Sequence, residues 1–70
     1  MFRISRLGRY IAETETIAGA REVVGRLLPG TYGVDEVRDV FSPNGPSVRP
    51  WGRLIRRPDG RIEDDPWTNP

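Results

Sequence analysis

One stretch of this sequence has the apolar spacing of an amphipathic helix, and the segments around it have the spacing of strands. Within residues 17–28 the apolar side chains recur every three or four positions, at Ile17, Ala20, Val24, Leu27 and Leu28. Thr16 is placed to cap this helix, and Pro29-Gly30 to end it. One helix among strands restricts the chain to an α+β fold in which the helix packs on one face of a sheet.

The segments on either side of this helix alternate apolar and polar residues as strands do. Residues 2–15 predict a β-hairpin that turns at Gly8, where positive φ has no steric cost. Residues 31–37 predict a third strand, with a bulge near Asp35 to restore the phase of Val37. If the second and third strands share a sheet, the first strand lies between them and is antiparallel to both.

One face of the predicted sheet is expected to lie beneath the helix. The side chains expected on that face are Phe2, Ile4, Tyr10, Val34 and Ile55. The opposite face would meet water or a partner.

The second half of the chain predicts a loop, a hairpin and a tail. Residues 42–50 contain three prolines and a glycine, which favours a loop. Residues 51–63 predict a second hairpin, whose turn is residues 57–61. The expected organisation is therefore strand-strand-helix-strand followed by a C-terminal β-hairpin, a single small α+β domain over residues 1–63, with residues 64–70 as an extended tail.

The chain contains neither cysteine nor histidine. Disulfides, thiolate ligands and imidazole bases are therefore excluded. The one local acidic cluster, Glu63-Asp64-Asp65, lacks the spaced ligands and glycine of a calcium loop, and no glycine-rich phosphate loop is present. We therefore expect no enzyme activity, no bound metal and no cofactor.

All eleven cationic side chains are arginine, and ten carboxylates leave a net charge of +1. A GC-rich genome would favour arginine codons; selection for forked contacts to carboxylate or phosphate is the alternative explanation. No apolar run is long enough for a signal peptide or a membrane span. We expect a cytoplasmic protein that does not bind membranes.

The segment of residues 48–57 combines four arginines with a tryptophan. Tryptophan and arginine anchor protein interfaces, and arginines interleaved with an aromatic residue also bind single-stranded nucleic acid. A third interpretation places Trp51 in the core and the arginines in solvent. Trp67 either plugs the core or projects as an anchor. The small net charge favours a protein partner over nucleic acid.

These features together predict a non-enzymatic binding or accessory protein, inhibitor- or adaptor-like, that occupies a surface on a larger cytoplasmic protein. The alternatives are a nucleic-acid-binding protein that uses residues 48–57, and a structural homo-oligomer. The predicted partner-binding residues are Arg49, Trp51, Arg53, Arg56, Arg57 and Trp67.

Overall fold

A computed structural model of the chain describes residues 1–38, 41 and 43–67. Its strands and helix are β1 (Phe2–Arg6), β2 (Arg9–Thr14), α1 (Ile17–Gly25), β3 (Gly30–Arg38), β4 (Ser47–Arg56) and β5 (Ile62–Pro66). The predicted α+β class, with one helix on one sheet, is confirmed.

The strands form one antiparallel sheet in the order β2-β1-β3-β4-β5. β1 pairs with β2 on one side and β3 on the other, so β2 and β3 run parallel to each other with α1 connecting them. The pairing of β3 with β4 shifts register between Val34 and Asp35, but the extra residue lies in β4. The predicted bulge in the third strand is therefore wrong: β3 pairs with β1 without interruption, and the phase of Val37 is not restored. β2 and β5 are the two edges of the sheet.

Helix α1 is shorter than the apolar pattern of residues 17–28 predicts. Thr16 caps its N-terminus, with its hydroxyl oxygen accepting a hydrogen bond from the Gly19 amide at 3.0 Å. The helix ends at Gly25, a poor helix former, and Arg26 is the C-cap. Leu28 lies beyond the helix and is 75% exposed, so the prediction of a helix to Leu28 is wrong at its C-terminal end.

Helix α1 crosses one face of the sheet from the β2 edge to the β5 edge. Gly19, near its start, packs against Thr14 at the end of β2. Arg21 donates a hydrogen bond to Asp64 of β5 at 2.9 Å, and Gly25 packs against the Ile62 side chain. We call the sheet face beneath α1 the inner face and the opposite one the outer face.

The core forms between α1 and the inner face. Its buried cluster consists of Ile4, Ala20, Val24, Tyr32, Val34 and Leu54. The predicted core positions Ile4 and Val34 are confirmed, and Phe2 packs half-buried against the cluster.

Two of the predicted core positions are wrong. Tyr10 is 62% exposed, because the register shift between β1 and β2 pairs it with Ser5 and leaves Ile11 to pack on the core. Ile55 pairs with Thr31 on the outer face, since the fully buried neighbour Leu54 occupies the inner face.

Two boundaries in the second half of the chain also differ from the prediction. Strand β4 begins at Ser47, so residues 47–50 belong to a strand and not to the predicted loop of residues 42–50. Pro50 is accommodated there because it pairs beside the bulge. Strand β5 continues to Pro66, so the first part of the predicted tail is paired with β4. Residues 42 and 68–70, which these predictions also cover, lie outside the described residues.

Candidate functional site

The predicted partner-binding residues do not form a single patch, because successive side chains of β4 point to opposite faces of the sheet. Trp51 is the extra residue of the bulge: Pro50 pairs with Asp35 and Gly52 with Val34, and Trp51 has no partner in β3. Because of the bulge, the Trp51 side chain lies on the inner face, where it packs half-buried against the core cluster.

Two of the predicted residues lie on the outer face and are held by carboxylates of β5. Arg53 donates to one oxygen of Asp65 through Nε at 3.1 Å and Nη2 at 2.5 Å. Arg57 donates to both carboxylate oxygens of Glu63, at 3.0 and 2.8 Å. These forked contacts join β4 to β5, as arginine is suited to do.

Arg56 is on the inner face near the end of α1. Its Nε donates to the Gly25 carbonyl at 3.4 Å, and its Nη1 donates to the Arg57 carbonyl at 2.8 Å. A cation at a helix C-terminus stabilises the carbonyls that have no partner within the helix. The observed contacts of Arg56 are therefore internal to the fold.

The Arg57–Glu63 pair gives a testable electrostatic effect. The hydrogen bond from Arg57, assisted by its charge, lowers the pKa of the Glu63 carboxyl, although desolvation opposes the shift. The pair therefore stabilises the fold at pH values above the ordinary pKa of a carboxyl group. This stabilisation is lost as the pH falls through the lowered pKa of Glu63. We expect Arg57→Gln to raise the pKa of Glu63, as measured by carbon-detected NMR titration. An Arg49→Gln control should leave it unchanged, and an unshifted Glu63 in Arg57→Gln would contradict the pairing.

The other predicted residues, Arg49, Trp51 and Trp67, meet at an open cleft of about 280 Å³. We call it the tryptophan cleft; its lining residues are Glu36, Arg38, Arg49, Pro50, Trp51, Pro66 and Trp67. They come from the end of β3, the start of β4 and the end of β5, which meet at one end of the antiparallel sheet. No residue of α1 lines the cleft.

The two tryptophans are joined through the backbone. The Trp67 amide donates to the Trp51 carbonyl at 2.8 Å, which continues the β4–β5 pairing past Pro66. Trp67 is 53% exposed and is not among the residues packed on the core. Of the two sequence interpretations of Trp67, its position fits the exposed anchor better than the core plug.

The charges around the tryptophan cleft leave an excess of one cation. Glu36 forms an ion pair with Arg38. Arg49 lies opposite Glu36 in the strand register and is exposed, and no carboxylate of the described residues forms an ion pair with it. Within residues 1–38, 41 and 43–67, Arg49 is therefore the cation of the cleft best placed to meet an anionic group.

Sequence reasoning missed Glu36, Arg38, Pro50 and Pro66 as site residues. Glu36 and Arg38 are more than ten positions away from Arg49 in the sequence, and only the β3–β4 register brings them together. The strand patterns gave no signal for this register, because the extra residue of the bulge lies in β4 and the predicted bulge was placed in the third strand.

Other kinds of site were also sought in the part of the chain that the structure describes. Within residues 1–38, 41 and 43–67, no group of three or more acidic side chains is arranged to hold a metal ion. In the same ranges, no helix has the length and apolar character needed to cross a membrane.

The fold and the cleft together define a small α+β domain with an open aromatic site at one end of its sheet. A scan against protein-family models and searches of the curated proteins and of the solved structures found no match to this chain. Its function must therefore be inferred from the residues of the cleft.

Proposed function

We propose that this chain is a non-enzymatic binding protein, an inhibitor- or adaptor-like module that holds a segment of a larger cytoplasmic protein in the tryptophan cleft. The observation that carries the proposal is that both tryptophans of the chain line this one cleft, beside Arg49. Tryptophan and arginine are the residues that most often dominate the free energy of protein binding.

The exposure of Trp67 supports a binding role. An indole ring contributes most to stability when it is buried, yet 53% of Trp67 remains open to solvent. Trp67 lines the cleft together with its neighbour Pro66, so its exposed apolar surface is part of the cleft. Exposed apolar surface of this kind is typical of interaction sites.

The distribution of the arginines favours a protein partner over a nucleic acid. Arg53 and Arg57 face away from the cleft and are neutralised by Asp65 and Glu63. A nucleic-acid site needs several free cations along one surface to neutralise successive phosphates. Residues 48–57 therefore supply a weaker electrostatic surface than their composition suggests.

Panning a displayed library of random linear peptides against the purified protein tests this proposal. We expect enriched peptides to bind Trp67→Ala about tenfold or more weakly, since loss of an interface anchor commonly costs more than 1.4 kcal/mol. Tyr10→Ala is the matched control, because Tyr10 is a similarly exposed aromatic on the other face of the sheet, and it should bind as the wild type does.

Two results of this panning would contradict the proposal. One is the absence of any enriched peptide. The other is an equal loss of binding in Trp67→Ala and Tyr10→Ala, which would locate the binding outside the cleft. Light scattering on the same samples identifies a homo-oligomer, the structural alternative.

A further inference from the structure

We propose that the segment held in the tryptophan cleft is an extended, proline-containing peptide with one acidic residue placed to reach Arg49. This inference rests on the proposed function and specifies the chemistry of the partner. It follows from the size of the cleft, its side chains, its backbone and its charge.

The size of the cleft favours a short segment of chain. Its volume of about 280 Å³ is at the lower limit of ordinary ligand sites, which begin near about 300 Å³. The cleft is open to solvent and is lined by the strand ends that carry Trp51 and Trp67. A few residues of an extended peptide fit such a space, with the chain continuing out of it on both sides.

The side chains of the cleft favour a peptide that contains proline. Trp51 and Trp67 provide aromatic surface, and Pro50 and Pro66 add two rigid apolar rings. Aromatic-lined grooves bind polyproline II segments, because the proline rings pack on the aromatic faces and the peptide is already extended before it binds. Little conformational entropy is then lost on binding.

The backbone of the cleft disfavours binding by strand addition. A strand that joins a sheet edge needs a row of free amides and carbonyls. Pro50 and Pro66 have no amide hydrogen, and the Trp67 amide is already bonded to the Trp51 carbonyl. A polyproline II segment makes no such ladder, so it matches a site built from side chains.

The positive charge of Arg49 in the cleft favours a peptide that carries a negative charge. Glu36 is occupied by Arg38, whereas Arg49 has no carboxylate partner among residues 1–38, 41 and 43–67. A glutamate or aspartate of the peptide can accept a forked pair of hydrogen bonds from Arg49. A basic residue at the same place would be repelled by Arg49.

Intrinsic fluorescence reports on the cleft alone, since both tryptophans of the chain line it. The probe is acetyl-Pro-Pro-Glu-Pro-Pro-amide, which has no aromatic residue, and its counterpart has lysine in place of glutamate. We expect a saturable change in tryptophan emission with the glutamate peptide and about tenfold weaker binding of the lysine peptide, as a charge-assisted contact predicts.

Substitution of Arg49 tests the assigned contact. Arg49→Gln should weaken the glutamate peptide about tenfold and abolish the discrimination between the two peptides. Arg49 is exposed, and a circular dichroism spectrum checks that the variant is folded. The matched control is Arg61→Gln, an exposed arginine near the β4–β5 turn, which should bind both peptides as the wild type does.

Several results would overturn the inference. They are no saturable change with the glutamate peptide, equal affinity for the two peptides, and unchanged binding in Arg49→Gln.

A saturable, steeply salt-dependent response to an oligothymidine would instead indicate nucleic acid. A change in emission on dilution of the protein alone would indicate a second copy in the cleft. If panning still yields peptides that require Trp67 but lack proline or acid, the proposed function stands and only this inference fails.

Discussion

Leu54→Ala is expected to destabilise the fold by about 3 kcal/mol, within the range for a buried leucine truncated to alanine. Leu54 has no solvent exposure and belongs to the core cluster beneath α1. Its removal leaves a cavity between the helix and β4 that surrounding side chains fill only in part. Urea unfolding followed by circular dichroism measures the loss as a lower midpoint at an unchanged slope.

The matched control is Leu28→Ala, the same substitution at a leucine that is 75% exposed. It should change the free energy of unfolding by no more than about 0.5 kcal/mol. A domain of this size has a total stability of only about 3–10 kcal/mol, so the two midpoints should differ clearly. Equal midpoints would contradict the placement of Leu54 in the core.

Gly52→Ala is the second substitution with a large expected effect. Gly52 has φ of +145°, a conformation that residues with a side chain rarely adopt. An added Cβ would also lie 2.7 Å from Pro66 Cα and against the Asp65 carbonyl, so β5 would have to move away from β4. We expect a loss of about 3 kcal/mol in the free energy of unfolding, the upper end of the strain carried by such positions.

Gly45→Ala separates the two causes of that loss. Gly45 also has positive φ, at +83°, but nothing lies within 4 Å of the position its Cβ would take. It should lose only about 1 kcal/mol, from backbone strain alone. The same urea titration compares both variants, and equal losses would mean that the close approach of β5 to Gly52 contributes nothing.

The α+β class was predictable because a segment with the apolar spacing of a helix is flanked by segments with the apolar alternation of strands. The stripe from Ile17 to Val24 and the cap at Thr16 define α1, whereas the broken phase after Val34 wrongly indicated a bulge in β3, since the extra residue lies in β4. The side-chain faces were less predictable, because each bulge shifts the alternation by one residue. Tyr10 lies on the face opposite to the predicted one for this reason.

The candidate site was predictable only in part. The Arg/Trp composition of residues 48–57 led to Arg49 and Trp51, which line the cleft. The same segment has no acid of its own, so the neutralisation of Arg53 and Arg57 by β5 could not be read from it. Glu36 and Arg38 enter through long-range strand pairing, which local patterns do not specify.

Because β5 is an edge strand, the tryptophan cleft is complete only while β5 stays paired with β4. In the part of the chain that the structure describes, β5 pairs only with β4, and it carries Pro66 and leads directly into Trp67. An edge strand detaches at a lower free-energy cost than the sheet as a whole, and each detachment removes one wall of the cleft. A peptide that contacts both Trp51 and Trp67 would therefore stabilise the pairing of β5 with β4. Its apparent affinity would include the free-energy cost of keeping β5 paired.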